Sequence, residues 1–187
     1  TKQPLLMKSY GPKFTIRLKG VLFTSHLLLL LTERLRLFHH KLPNAILKLF
    51  TEKDELTEID HLVLSPYGIF VIAVKSNRGR ISGTETGANW SRHYFGATKQ
   101  LMNPLHQNFK NVEAVKHLLQ LQGPDTAQAV HSVIAFNRVA QFASSMPANV
   151  MFVDATAAYI KQFTDVVLTE EQVSRFAAVL KQASTDQ

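Results

Sequence analysis

The chain has 187 residues and a mass of 21.0 kDa; its 45% hydrophobic content and mean hydropathy of −0.03 favour one soluble globular domain. A formal net charge of +7 favours polyanionic partners such as nucleic acid or anionic lipid. The absence of cysteine excludes disulfides and thiolate metal sites, so any metal must be held by oxygen or imidazole ligands.

The first fifty residues predict a lead-in, a helix and a short strand. Prolines, glycine and lysines indicate an irregular lead-in over 1–18, followed by a single domain over 19–187. Apolar spacing predicts an amphipathic helix from Ser25 to about His39. Its longest apolar cluster, Leu27 to Leu31, is far shorter than the roughly 20 residues of a bilayer span. Ile46 to Phe50 predicts a strand.

A β-hairpin is predicted from Glu58 to Lys75, where two apolar runs flank the turn Ser65-Pro66-Tyr67-Gly68. A two-residue loop would place Asp60 directly opposite Ala73. A type I turn with a glycine bulge would instead slip the register by one residue, and a further irregularity near Asp60 would then be needed.

The rest of the chain alternates strands and helices, which predicts an α/β fold with a central mixed sheet flanked by helices. Trp90 is expected to be a packing residue after a glycine-rich loop. Strands are expected to cluster between about 46 and 95, with a turn at 78–83. A helix should begin at Asn103-Pro104 and end before Gly123-Pro124, with Leu105, Phe109, Val112, Lys116 and Leu119 on one face. The remaining predicted elements are strands at 130–136 and 150–153, a helix from Ala155 to Phe163, and a last helix from the capping box Thr169-Glu170-Glu171-Gln172 to about Ala183.

The hairpin ends on residues that suit phosphodiester chemistry. Strand alternation puts Ala73 and Lys75 on one face, and the cross-strand register brings Asp60 to the same edge. A carboxylate that holds a divalent cation and a lysine that steadies charge are the groups that metal-assisted hydrolysis requires. The alternatives are a strand-edge acid that discourages aggregation and a solvated lysine at a strand end.

These residues also carry a family resemblance. The hairpin IDHLVLSPYGIFVIAVK, then Gly79, Ile81-Ser82-Gly83, Trp90 and Asn103-Pro104-Leu105-His106-Gln107 resemble the nuclease-related domain (NERD) family, a branch of the PD-(D/E)XK nuclease-like group. The resemblance covers about residues 19–121. It implies a restriction-endonuclease-like core and a metal-dependent nuclease acting on DNA with Mg²⁺ or Mn²⁺.

The resemblance implies a role for four positions. Asp60 would be the metal-binding carboxylate, Lys75 the lysine of the (D/E)-x-K element, and Gln107 a residue near the catalytic face. Position 73, where the family pattern has glutamate, is Ala73. The Gly-Glu pair expected shortly after Lys19-Gly20 corresponds to Phe23-Thr24.

Two acids of the family pattern are therefore missing, and we expect any Mg²⁺ to bind weakly. Mg²⁺ is commonly held by one or two protein carboxylates plus substrate oxygens, so a single Asp60 leaves a site that depends on DNA phosphate. Catalysis should be absent or impaired. Two explanations fit Ala73: deliberate replacement of glutamate to trap an inactive state, or natural degeneration.

Other polar residues are weaker candidates for a site. Arg78, Arg80 and Arg92 are candidates for a basic rim that binds a nucleic-acid backbone, with an ordinary charged loop as the alternative. The adjacent pair His39-His40 is poorly spaced for a metal. His61 and His106 suit either a structural role or a place near a phosphate.

The sequence thus predicts a DNA-binding, nuclease-like domain that is inactive or impaired with alanine at 73. The alternative is a non-catalytic module that binds nucleic acid or a protein partner on a nuclease scaffold. No small-molecule cofactor is predicted. The chain begins at Thr1 rather than methionine, and we expect a cytoplasmic protein, with membrane tethering only through a missing N-terminal segment.

Overall fold

A computed structural model of the protein describes residues 47–52, 56–121, 123, 126 and 128–185. Several sequence-based predictions lie outside these residues: the lead-in over 1–18, the helix from Ser25 to about His39, the pair His39-His40 and the positions Phe23-Thr24.

The described residues form ten strands and three α-helices. The strands are β1 Leu47–Phe50, β2 Leu56–Ile59, β3 His61–Ser65, β4 Gly68–Lys75, β5 Gly79–Ser82, β6 Asn89–Tyr94, β7 Ala97–Met102, β8 Val130–Phe136, β9 Ala140–Phe142 and β10 Val150–Phe152. The helices are α1 Pro104–Leu119, α2 Thr156–Ile160 and α3 Glu170–Thr185, with a short 3-10 turn at Val153–Ala155.

Two mixed four-stranded sheets make up most of the fold. The central sheet has the order β10-β8-β4-β3, in which β10, β8 and β4 are parallel and β3 is antiparallel to β4. The second sheet has the order β7-β6-β5-β9, with β9 parallel to β5. Strands β1 and β2 pair separately. The predicted α/β class with a mixed sheet and flanking helices is confirmed. The second sheet, formed by β5, β6, β7 and β9, was not predicted.

Strand β4 lies at the centre of the core and determines where the site can be. Its residues from Gly68 to Ala73 are buried, which explains the continuous apolar run in the sequence. Ile69 and Val71 pack in a cluster with α1 and α3 residues, whereas Phe70 and Ile72 pack in a cluster with α2 residues. Burying side chains of this size contributes about 1.5–3 kcal/mol each. Burial decreases only at Val74 and Lys75, so polar chemistry is confined to this end of the strand.

Local capping signals fixed two helix starts as predicted. The Oδ1 of Asn103 accepts a hydrogen bond from Leu105 N at 2.9 Å, with Pro104 at the first position of α1. At α3 the Thr169 Oγ1 accepts from Gln172 N at 3.1 Å, and Gln172 Oε1 accepts from Thr169 N at 2.8 Å. This reciprocal pair is the predicted capping box.

Other predicted boundaries were wrong. Residues 79–82, predicted as part of a turn, form strand β5, and strands continue beyond 95 through β7. The predicted helix from Ala155 to Phe163 is helical only over Thr156–Ile160. Strands as short as β5 and β9 carry too little periodicity to detect, and their pairing with distant strands decides their state.

The buried face of α1 includes polar residues and leaves out one residue of the predicted apolar face. Phe109 is 61% exposed. The buried residues are Pro104, Asn108, Asn111, Val112, Ala114, Val115 and Leu119. Two asparagines occupy core positions, which apolar periodicity does not predict because it counts asparagine as polar.

Candidate functional site

The hairpin register brings Asp60 to the strand position opposite Ala73. His61 pairs with Ile72 and Ser65 with Gly68, as the two-residue loop predicts, and no slip of register occurs between β3 and β4. One step beyond the His61 pair, the chain bends at Asp60 between β2 and β3. The Asp60 Oδ2 accepts a hydrogen bond from Val74 N at 2.9 Å. The exposed carboxylate is therefore fixed against the end of β4.

Lys75 lies at the same end of β4 and contacts helix α1. Its Nζ donates a hydrogen bond to the Oε1 of Gln107 at 2.9 Å. Burial lowers the pKa of Lys75 below its usual value, and the negative charge of Asp60 opposes that shift. Asp60, Lys75 and Gln107 thus gather at one edge of the central sheet, although they come from a bend, a strand and a helix.

Ala73 contributes no polar group to the site formed by Asp60, Lys75 and Gln107. Ala73 is 4% exposed and belongs to an apolar cluster with Ile81, Trp90, Ile134 and Phe136. Within the described ranges, no group of three or more histidine, cysteine, aspartate or glutamate side chains could hold a metal ion. Asp60 alone offers one carboxylate, so the residues described here do not fit a resident divalent-metal site.

A buried polar network positions α1 over the sheet. The Nδ2 of Asn108 donates to Val71 O and to Ser132 Oγ, both at 2.9 Å. The Oδ1 of Asn108 accepts from Asn111 Nδ2 at 3.1 Å, and Asn111 in turn accepts from the hydroxyl of Thr57. Because Asn108 follows Gln107 directly, this network determines where Gln107 meets Lys75. Neither asparagine was predicted as a site residue from the sequence, because apolar periodicity does not place asparagine on a buried face.

The three candidate arginines do not share a face. Arg80 pairs with His93, whereas Arg92 pairs with Ile81, so Arg80 and Arg92 point to opposite sides of the second sheet. Ile81 packs in the same cluster as Ala73, which puts Arg92 on the side that faces the central sheet.

Tyr94 links two of these arginines. Its hydroxyl accepts a hydrogen bond from Arg78 Nη1 at 3.4 Å, and its ring lies 5.6 Å from the guanidinium carbon of Arg92. Lys99 pairs with Arg92 and points to the same side. Neither Tyr94 nor Lys99 was predicted as a site residue from the sequence. A signal was available, because residues 61–112 contain six lysines and arginines but one acid, Glu85.

The histidines near the site differ in burial. His61 is 6% exposed, and burial lowers its pKa from 6.5 to about 4, so the ring is neutral at pH 7. His106 is exposed on α1. His131, whose pKa burial also lowers, stacks on Phe70 with ring centroids 4.9 Å apart. A buried, neutral His61 has a packing role in the hairpin.

The fold and the sheet edge together define an α/β protein with a nuclease-like core, and comparison with known proteins identifies its family. The sequence model of the nuclease-related domain family matches residues 20–137. The chain therefore belongs to the nuclease-related domain (NERD) family.

Comparison with individual proteins adds one relative. The chain is 31% identical over 136 residues to an uncharacterized protein of Bacillus anthracis, a match that covers 72% of this chain and 63% of the relative. The chain thus spans less than two thirds of that relative's length. No solved structure matched the chain significantly. Across the residues that the structure describes, we found no helix with the length and apolar character needed to cross a membrane.

Proposed function

We propose that this domain binds nucleic acid, DNA above all, through the sheet edge that carries Asp60, Lys75 and Gln107. The observation that supports this most directly is the convergence of these three side chains, with the Lys75 Nζ 2.9 Å from the Gln107 Oε1 and the Asp60 carboxylate hydrogen-bonded to Val74 N. Membership of a nuclease-related family and the basic span 61–112 support the same partner.

Each residue has a proposed role on this surface. Lys75 is the cation placed to neutralise a phosphate or the charge that develops on it, and in a form with glutamate at 73 Asp60 would be one of two acids that contact a divalent cation. Gln107 orients the Lys75 ammonium through their hydrogen bond. Ala73 occupies the position of the second acid, Arg78 and Arg92 contact the backbone of the bound strand, and the exposed Arg80 lies on the other side of the second sheet.

With alanine at position 73, we propose that the domain is inactive or impaired as a nuclease. Mg²⁺ requires near-octahedral oxygen coordination, and one carboxylate leaves most positions to water and to substrate. A form with glutamate at 73 would place a second carboxylate across from Asp60. That form is proposed to hydrolyse phosphodiesters with Mg²⁺ or Mn²⁺.

Substitution Ala73→Glu tests the catalytic part of the proposal. Without metal, the variant should melt at a lower temperature than the parent, because a second carboxylate enters a buried position beside Asp60. Mn²⁺ should raise its melting temperature and leave that of the parent unchanged. Nicking of a supercoiled plasmid in Mg²⁺ or Mn²⁺ should appear in the variant.

Two controls separate the charge from the bulk of the new side chain. Ala73→Gln adds the same length without charge and should show neither metal stabilisation nor nicking. Adding Asp60→Asn to Ala73→Glu should abolish both effects. A well-folded Ala73→Glu protein that binds Mn²⁺ and cleaves no form of DNA would refute the catalytic proposal.

That failure would favour the second candidate, a non-catalytic module that binds nucleic acid or a protein partner on a nuclease scaffold. One observation supports it: Ala73 packs with Ile81 and Trp90 in an apolar cluster, which is the packing expected where a charged group has no role. If the non-catalytic module is correct and its partner is nucleic acid, the affinity of the unmodified chain for DNA should fall steeply as salt rises. A response that does not change with salt would indicate a protein partner.

A further inference from the structure

We propose that the tip of the β6–β7 hairpin, Phe95, stacks on an unpaired base of the nucleic acid that the domain binds. This inference rests on the proposed function, because it assumes that the partner is nucleic acid. It adds a contact residue outside the Asp60, Lys75 and Gln107 edge.

Residue 95 has a backbone conformation and an exposure that are unfavourable for a phenylalanine side chain. Its side chain is 88% exposed, and its φ is +47°. Tyr94 pairs with Ala97, so Phe95 and Gly96, with φ of +76°, form a two-residue loop with both residues in the left-handed region. Such hairpin loops prefer asparagine followed by glycine. A phenylalanine here adds strain and leaves most of its ring exposed, which suits a contact with a partner.

The groups around Phe95 match the chemistry of a nucleotide. The rings of Tyr94 and Phe95 have centroids 4.3 Å apart. Arg78 donates to the Tyr94 hydroxyl, and the Arg92 guanidinium lies over the Tyr94 ring. Aromatic faces for bases, with guanidinium groups for the phosphates, are the combination by which proteins hold single strands.

Charge distinguishes nucleic acid from a protein partner for this hairpin. Between residues 86 and 112 the sequence contains no aspartate or glutamate, whereas it contains Arg92, Lys99 and Lys110. An exposed aromatic residue within a stretch whose charged side chains are all positive complements a polyanion with apolar faces, which describes a nucleic acid with accessible bases.

The hairpin tip lies within reach of the Lys75 edge. Gly79 follows Lys75 by four residues, so their Cα atoms are at most about 14 Å apart. A Cβ on Gly79 would lie 2.9 Å from the Tyr94 Cβ and 2.5 Å from His93 O, so β5 and the end of β6 are in direct contact. A strand bound at Lys75 can therefore extend over a few nucleotides to Phe95.

The substitution Phe95→Asn separates binding from folding, because its two expected effects have opposite signs. Asparagine suits the left-handed position, so the melting temperature should rise. Affinity for a fluorescein-labelled single-stranded oligothymidylate should fall roughly tenfold. Phe95→Trp keeps an aromatic face and should retain affinity. A strand containing 2-aminopurine should lose fluorescence on binding to the unmodified protein and to Phe95→Trp, but not to Phe95→Asn.

A matched control uses another exposed apolar side chain. Val166 is 70% exposed, and its neighbour Val167 donates to Pro66 O at the β3–β4 turn, at the opposite end of β4 from Lys75. Val166→Asn should leave the affinity unchanged.

The outcomes separate this inference from the proposed function. If the unmodified protein binds the oligonucleotide and Phe95→Asn binds it equally well, the stacking role is wrong and the proposed function stands. If Phe95→Asn loses affinity only for blunt duplex DNA, the assignment of Phe95 to unpaired bases is also wrong. If the unmodified protein binds neither single strands nor duplexes, nucleic-acid binding and the stacking role both fail.

Discussion

At the scale of single residues, the hairpin contains an ionisable group that must stay neutral for the fold to be stable. His61 begins β3, pairs with Ile72 and is 6% exposed. Its pKa of about 4 in the folded state lies below the 6.5 of an accessible histidine. Folding therefore keeps a proton off this ring that the unfolded chain would accept.

The free energy of unfolding should consequently fall as the pH is lowered from about 6.5 to about 4, because the unfolded state binds more protons in this window. His61 alone should account for about 3 kcal/mol of the loss. His131, whose pKa burial also lowers, should add to it. Urea unfolding of the unmodified protein at several pH values measures the total.

Two variants assign this pH dependence. His61→Phe should be less sensitive to pH between 6.5 and 4 than the unmodified protein, and His106→Gln, which changes an exposed histidine, should match it. An equal loss of stability in His61→Phe and in the unmodified protein would show that other groups control the acid response.

At the scale of elements, Asn103 connects the start of α1 to the loop before β6. Besides capping the helix, its Nδ2 donates to three carbonyl oxygens, of Thr84 at 3.3 Å, Glu85 at 3.0 Å and Gly87 at 2.7 Å. The side chain is fully buried. It therefore fixes the helix that carries Gln107 to the second sheet.

Asn103→Asp tests whether the loop contacts or the cap matters more. Capping preferences alone predict a neutral change, since aspartate caps helices as well as asparagine does. The structure predicts a loss of about 3 kcal/mol or more, because a buried carboxylate would face three carbonyl oxygens and lose its donors. Thermal unfolding of Asn103→Asp beside Thr169→Ala, an ordinary cap deletion at α3 that should cost about 1 kcal/mol, measures the difference. A neutral Asn103→Asp would show that the cap dominates.

At the scale of the whole molecule, several positively charged side chains of the described residues lie between the end of β4 and the β6–β7 hairpin. Lys75 lies at the end of β4 and contacts Gln107. Arg78 and Arg92 contact Tyr94, and Lys99 points to the same side of the second sheet as Arg92. Arg80 points to the opposite side of that sheet. Four phosphate contacts to a single strand would give a slope of about −3 in a plot of log affinity against log salt. Affinity should then fall roughly fifty-fold between about 50 and about 200 mM salt.

Two substitutions on opposite sides of the sheet check this surface. Lys99→Ala should make the slope shallower by about 0.7 if Lys99 contacts one phosphate. Arg80→Ala removes the same charge from the other side and should leave the slope unchanged. Equal effects of the two substitutions would mean that net charge, and not this face, controls binding.

The local part of the site was predictable from the sequence because neighbouring residues determine it. The Ser65-to-Gly68 turn predicts the hairpin but allows two registers, of which the structure has the one that brings Asp60 to the position opposite Ala73, and Asn103-Pro104 begins the helix that carries Gln107. The wrong predictions have a common cause. Strand β5 was predicted as part of a turn and strand β9 was not predicted, although the two pair with each other across distant parts of the chain.

The amino-acid sequence by itself determined the family, the hairpin with Asp60 and Lys75, and both capped helices, because short-range hydrogen bonds and strand alternation act between residues close in the chain. Tertiary structure alone decided the second sheet, the faces of the arginines, the exposed turn at Phe95 and the placement of Gln107 against Lys75. Those features require strands and helices to pair across long stretches of chain, and the free energy of that pairing depends on which partners are buried together.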